Sequence, residues 1–351
     1  MIPNPRPTAA DDRPDCAVIE ITLRCNFGCL HCGGSAGQQR SRELSLDELT
    51  QVARDLKRIG FARASLIGGE VFCRPDWLEV ARAMRASGLI LTYVSNGFLL
   101  PEQPELVDQI ASTEPQVVGL SLDGGRAETH DKIRNKPGSY ERVLASIDLL
   151  HERGVEVTII TTLNRLNVGE LAELRELLLG RRVSWQIQVA NANGRRFDRG
   201  LFLTRDEYHE VARFIHDGVM TYPTDQLPIA GADDIGYFSK ELPHCSINGY
   251  RWHGCKGGIT NLGIQSDGGV KGCLSQPDSF LEGNVRERSL YDIWHDPEAF
   301  AAARHFDVEL LRGACRECVF GAQCKGGCPD IATSICGHPF ENGYCLYANG
   351  R

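Results

Sequence analysis

Ala17-Val18-Ile19-Glu20-Ile21-Thr22, followed by Cys25-Asn26-Phe27-Gly28-Cys29-Leu30-His31-Cys32, is the stretch from which the rest of the chain is read. The apolar run predicts a buried strand. The loop after it carries three cysteines in the pattern C-x3-C-x2-C. Three thiolates on one short loop can hold three irons of a [4Fe–4S] cluster, leaving the fourth iron open to a substrate or cofactor. A zinc site takes four ligands, and His31 would be the fourth, so zinc stays open for this loop taken alone.

The 351 residues are enough for one large domain and a small one. Hydrophobic content of 42% and charged content of 24% are those of an ordinary globular chain. A net charge of −8 argues against a general nucleic-acid binder. No apolar run reaches the ~18 residues of a membrane span. The N-terminus lacks the apolar core of a signal peptide. A cytoplasmic location is expected. In that compartment thiols stay reduced, so the 14 cysteines point to metal or redox chemistry rather than disulfides.

Residues 1–15 read as a loose leader. Beyond them apolar runs alternate with amphipathic segments. Strands are predicted over 17–22, 62–67, 89–94, 117–122, 155–162 and 183–189. Helices are predicted over 45–59, 75–86, 140–153, 168–179 and 204–220. Ser45 and Glu48 stand at capping-box spacing, and Gly154 closes the helix before it. Strands alternating with helices imply a parallel sheet. Six β/α units are too few for a complete eight-unit barrel. From about residue 222 the chain turns Pro- and Gly-rich, and from Cys245 it is rich in glycine and cysteine with little periodicity. The boundary is expected near 225–240, giving a leader 1–15, a barrel 16–225 and a small domain 226–351.

The cysteine loop resembles that of the radical S-adenosylmethionine (radical SAM) superfamily. The resemblance implies a partial (β/α)6 barrel, an open iron that binds SAM, and a 5′-deoxyadenosyl radical that abstracts hydrogen. Cys25, Cys29 and Cys32 are then the cluster ligands, and His31 lies near the adenine. Gly68-Gly69-Glu70, ending the second strand, resembles the family's contact to the SAM amino group. Glycines let a backbone approach closely, although a lone Gly-Gly-Glu is more often a plain turn. The family's usual proline after it is Val71 here. Ser95-Asn96 and Ser121-Leu122-Asp123 close the third and fourth strands and are candidates for ribose contacts. Arg134 resembles the arginine near the SAM carboxylate, with a surface ion pair as the alternative. Gln186 and Gln188 alternate on the sixth strand, so both face one side of it; they are candidate substrate or SAM contacts if that side is the interior.

The run Cys315-x2-Cys318-x5-Cys324-x3-Cys328 resembles the SPASM extension, which holds two auxiliary [4Fe–4S] clusters; zinc ribbons are the alternative. Gly283-Asn284-Val285 and Ser289–Trp294 resemble the family's bridge between cysteine groups. The resemblance implies one cluster on Cys255, Cys273 and Cys328, with Cys245 as fourth ligand. It implies a second on Cys315, Cys318, Cys324 and Cys345. Cys16, Cys73 and Cys336 are left over, and buried inert thiols are the default for them. The cofactor set is three [4Fe–4S] clusters and SAM, with a reductant such as flavodoxin or ferredoxin.

Sulfatase-maturing relatives carry an Asp directly after the second cysteine of the C-terminal motif, where this chain has Leu274. Many peptide-modifying relatives carry an N-terminal leader-recognition domain, and only residues 1–15 precede the first strand here. The function expected is oxidative modification of a ribosomally made peptide (crosslink, epimerisation or side-chain oxidation), with or without a separate recognition protein. The alternative is the same chemistry on a small molecule, a tetrapyrrole precursor or an amino-acid-derived metabolite. A non-enzymatic zinc or electron-transfer protein is the outside reading.

Overall fold

In each apolar run every second residue faces the helices, so the residues between them face the opposite side of the sheet. The computed structural model describes residues 13–191, 194, 196–223, 225–232, 234, 235, 237–240, 242 and 252–349. Strands β1 (Cys16–Thr22), β2 (Arg63–Gly68), β3 (Ile90–Ser95), β4 (Val117–Ser121), β5 (Val157–Leu163) and β6 (Ser184–Val189) pair in parallel, in sequence order. Helices α1 (Leu46–Ile59), α2 (Trp77–Ala86), α3 (Pro104–Ser112), α4 (Ala127–Arg134), α5 (Ser139–Glu152) and α6 (Leu171–Leu178) fall between them, and α7 (Arg205–Thr221) follows. Ala17, Ile19 and Ile21, like Trp185, Ile187 and Val189, are buried in the layer between sheet and helices. The Trp185 ring meets Phe214 of α7 edge-on at 5.8 Å. Val18, Glu20, Gln186 and Gln188 therefore lie on the concave face.

The expected helix at 45–59 starts one residue later because Ser45 is its cap: Ser45 Oγ accepts from Glu48 N–H at 3.2 Å and Glu48 accepts from Ser45 N–H at 2.8 Å. Thr204 and Glu207 cap α7 in the same way. Helices α3 and α4 were not among the expected elements. Of the eight residues of α4 only His130, Ile133 and Arg134 are buried, so it carries no apolar stripe to read.

The larger difference lies past residue 225. β7 (Ile229–Gly231) adds to β6, so the sheet continues into the 225–240 window where the boundary is expected. β8 (Asn261–Ile264) pairs in parallel with β1 on its other side, and β9 (Gly269–Lys271) and β10 (Gly283–Asn284) follow in antiparallel. Among the described residues the result is one ten-stranded open sheet in the order β10-β9-β8-β1-β2-β3-β4-β5-β6-β7. Strands of two to four residues are too short to show a period, which is why this part of the sequence looks irregular. No helix among the described residues is long and apolar enough to cross a membrane.

Candidate SAM and iron–sulfur site

Parallel strands put all their C-terminal ends at one edge, and the cysteine loop leaves β1 there. Glu43 fastens its entrance: the carboxylate accepts from Thr22 Oγ1 at 3.0 Å, Leu23 N–H at 2.7 Å and Arg40 N–H at 3.2 Å. Cys25 N–H to Gly37 C=O (3.2 Å) and Gly37 N–H to Leu23 C=O (3.0 Å) close the loop on itself.

The three thiols meet donors. Phe27 N–H points at Cys25 Sγ (3.4 Å), Ala36 N–H at Cys32 Sγ (3.2 Å) and Arg134 Nη1 at Cys29 Sγ (3.9 Å). Burial pushes the Cys25 thiol up to about 12, and the neighbouring Cys29 and Cys32 sulfurs push it the same way. Burial also raises Cys29, against the nearby Arg134 charge. A bound cation reverses that preference and holds sulfur as thiolate. Asn26 Nδ2 and His31 Nδ1 on the same loop are buried without a hydrogen-bond partner among the described residues. Sulfur donors met by N–H groups, beside unsatisfied polar atoms, fit an iron–sulfur group that also binds a polar ligand.

The glycines of Gly68-Gly69-Glu70 pack against the cysteine loop. A Cβ on Gly68 would sit 2.2 Å from Thr22 C=O, and one on Gly69 2.2 Å from Arg24 C=O. Gly69 N–H and Glu70 N–H donate to those same carbonyls at 2.9 and 2.8 Å. The close backbone approach is to the cysteine loop itself. Glu70 is buried, and its carboxylate accepts from Ser95 Oγ (2.8 Å), Asn96 N–H (2.8 Å) and Phe72 N–H (3.4 Å). Burial raises it to about 7 in spite of these donors. Ser95 Oγ also accepts from Gly97 N–H, so this hydroxyl is engaged within the protein. Asn96 donates from Nδ2 to Asn26 Oδ1 at 2.8 Å, tying the end of β3 to the cysteine loop. Ser121 is half-buried at the end of β4. Val71 is fully buried.

Asp123 is likewise turned inward. It is fully buried, accepts from Thr162 N–H at 2.8 Å, and lies 2.6 Å from Arg134 Nε and 3.5 Å from His31 Nε2. Burial would raise Asp123, but the Arg134 charge and the two histidines hold it below its ordinary value. Burial drops His31 to about 4. His130, whose Nδ1 accepts from Asp123 N–H at 3.1 Å, drops to about 4 for the same reason. Asp123 therefore holds Arg134 against Cys29, beside the site. On the concave face Gln188 Nε2 donates to Thr162 Oγ1 at 2.9 Å, and Gln186 Nε2 lies 3.5 Å from Gln188 Oε1.

In the C-terminal region Cys315, Cys318, Cys324 and Cys345 line one cavity, walled by Phe320 and Tyr347. Phe238 stacks on Phe320 with centroids 4.3 Å apart. For the other group, Gly257 and Gly272 touch through their backbones, where a Cβ on either would come within 3.0 Å of the other residue's carbonyl carbon. Burial raises the Cys328 thiol, and Cys255 is among the groups that add to it. Cys245 lies outside the described residues. Among the described residues no three His, Cys, Asp or Glu side chains converge on one ion-sized point. Glu43, Tyr237 and Trp252 carried no sequence signal. Tyr237 Oη accepts from Cys328 N–H at 3.0 Å and Trp252 Nε1 donates to Cys324 C=O at 3.0 Å.

Comparison with known proteins agrees with this geometry. The radical SAM superfamily profile matches residues 19–178, and an iron–sulfur cluster-binding (SPASM) domain profile matches 255–319. The AdoMet-dependent heme synthase of Methanosarcina barkeri is 31% identical, over 98% of this chain and 99% of that protein. Mycofactocin maturase MftC of Mycolicibacterium smegmatis is 27% identical, over 90% of this chain and 78% of its own length. Among solved structures, Streptococcus suis SuiB bound to S-adenosylmethionine superposes with a TM-score of 0.73 at 17% identity, covering 95% of this chain and 77% of SuiB. The chain is an enzyme of the radical SAM superfamily with a SPASM domain, and iron–sulfur clusters and SAM are the cofactors those domains imply.

Proposed function

We propose that this enzyme carries three [4Fe–4S] clusters and oxidatively modifies a ribosomally made peptide. Cys25, Cys29 and Cys32 hold the cluster that leaves an iron for SAM. Cys255, Cys273 and Cys328, with Cys245, hold the first auxiliary cluster. Cys315, Cys318, Cys324 and Cys345 hold the second. When bound, SAM and its cluster supply a 5′-deoxyadenosyl radical that takes a hydrogen atom from the substrate. His31, Glu70, Asn96, Asp123 and Arg134 shape and orient the SAM pocket. The barrel comprises 16–225 with β7, and the auxiliary-cluster domain the remainder.

The observation that carries the peptide reading is the concave face. Gln186, Gln188 and Thr162 present neutral donors and acceptors there, the chemistry that recognises peptide amides. Two arginines close to the cysteine loop are engaged: Arg134 by Asp123, and Arg196 by the Ala36 carbonyl. The relationship to mycofactocin maturase supports the same reading. Its partners are then the peptide, a separate recognition protein, and a flavodoxin- or ferredoxin-type reductant in the cytoplasm.

A second reading is favoured by the end-to-end match to the heme synthase: a tetrapyrrole with carboxylate side chains. One anaerobic experiment separates them. The reconstituted protein is mixed with SAM, strong reductant and the short peptide encoded beside its gene, and in parallel with a propionate-bearing iron tetrapyrrole. Loss of about two hydrogens from the peptide, with 5′-deoxyadenosine formed, supports the first reading. An unchanged peptide with a modified tetrapyrrole replaces it.

A further inference from the structure

The segment after β6 touches both halves of the molecule. Gly194 lies directly on the cysteine loop: a Cβ there would sit 1.9 Å from Cys32 C=O, the closest such approach of any described glycine. Two residues on, Arg196 donates to Ala36 C=O, at the end of the same loop. Asn191 flanks it, with Oδ1 3.6 Å from where a Gly33 Cβ would lie. The same segment grips the other side. Asn191 Nδ2 donates to Asp330, two residues past Cys328, and Arg199 Nη2 donates to Ser334 C=O at 2.9 Å. Asp330 and Ser334 belong to the helix Pro329–Cys336 that Cys328 caps.

We propose that the described residues of this segment, Asn191, Gly194, Arg196 and Arg199, act as a strap that fixes the spacing between the SAM-binding cluster and the first auxiliary cluster, with Gly194 and Asn191 as its positioning residues. The proposal rests on the ligand assignment given above. Gly194 sets the height of the strap over Cys32, because no side chain fits between them. Asn191 transmits that height to the helix behind Cys328. The strap also continues β6, so a ligand held by Gln186 and Gln188 bears on the element that sets the distance between the two redox centres. An electron given up by the substrate radical would be accepted by the first auxiliary cluster, whose position relative to the SAM-binding site this segment sets.

The test is spectroscopic and needs no substrate. Full-length Gly194→Ala, Asn191→Ala and Cys328→Ser chains are reconstituted, their iron and sulfide counted, and the microwave power saturation of the SAM-shifted cluster signal recorded after dithionite reduction. Cys328→Ser supplies the limit in which the first auxiliary cluster no longer relaxes its neighbour. Expected is wild-type iron in Gly194→Ala and Asn191→Ala, with half-saturation power moved from the wild-type value toward that of Cys328→Ser. Asn191→Ala decides alone if Gly194→Ala does not fold. Wild-type saturation in the strap variants, beside an altered Cys328→Ser, overturns the strap and leaves the ligand assignment standing. Unchanged iron and saturation in Cys328→Ser overturns the assignment and the strap with it.

Discussion

The two cysteine-bearing regions are built in opposite ways. Around Cys25, Cys29 and Cys32 the backbone does the holding: β1 lies between β2 and β8, and the glycines after β2 seat against the Thr22 and Arg24 carbonyls. Around Cys315, Cys318 and Cys324 there is less for a backbone to lean on, although Tyr344 and Leu346 beside Cys345 join the main core. The local core is Leu311, Cys315 and Phe340, with Phe306 against it. A region with so small a core depends on crosslinks or metal for its stability. One site is a feature of a stable fold; the other supplies the stability of its own surroundings.

Iron removal tests this contrast most severely. Chelation under reducing conditions is expected to unfold residues around 306–327 while the barrel keeps its structure, with hydrogen exchange by mass spectrometry as the readout. Equal protection of both regions would erase the distinction. Cys29→Ala is expected to abolish 5′-deoxyadenosine formation and lower iron from about twelve to about eight per chain, four per cluster; retained SAM cleavage would overturn the ligand assignment. Gly69→Ala forces a methyl group onto the Arg24 carbonyl and is expected to cost about 1–3 kcal/mol in denaturant titration, with iron lost from the SAM-binding site ahead of the auxiliary sites.

Acid response belongs to the barrel. His31 and His130 are buried and neutral, with folded pKa values near 4 against an ordinary 6.5. Between about pH 4 and 6.5 the unfolded chain binds protons there that the folded chain refuses, so stability falls as pH drops through that window. His130→Asn, keeping an acceptor for Asp123 N–H, is expected to flatten one proton's share of the slope; an unchanged slope would show that His130 is charged in the fold. The smallest effect is Thr204→Ala, expected to cost about 1 kcal/mol through the cap of α7, read as a small fall in thermal midpoint with no change in iron.

The same contrast governs what the sequence discloses. Strands β1–β6 and most of the helices between them are legible because a long amphipathic element must repeat its pattern to bury one face. The cysteine spacings are legible because ligand identity is confined to a few residue types. Helix α4 is not, since His130 is buried to accept from Asp123 N–H and Arg134 to pair with the Asp123 carboxylate rather than for apolar area. Nor are the contacts of Gly68, Gly69 and Gly194: a glycine in a sequence marks a close approach without naming what approaches. Nor are the internal partners of the Ser95 hydroxyl and the Asp123 carboxylate, which are Glu70 and Arg134.

The placement of β8 beside β1 bears on how the protein is made. Glu20, at the centre of β1, is satisfied in part by the backbone N–H and hydroxyl of Ser266, 246 residues further along the chain. A ribosome adding roughly 5–20 residues per second needs on the order of 10–50 s to deliver that partner. For that interval the first strand is an open edge and the cysteine loop hangs from an unfinished sheet. On the ligand assignment proposed above, cluster delivery to Cys25, Cys29 and Cys32 is then expected late in the life of the nascent chain, with these three thiols kept reduced until the C-terminal strands arrive.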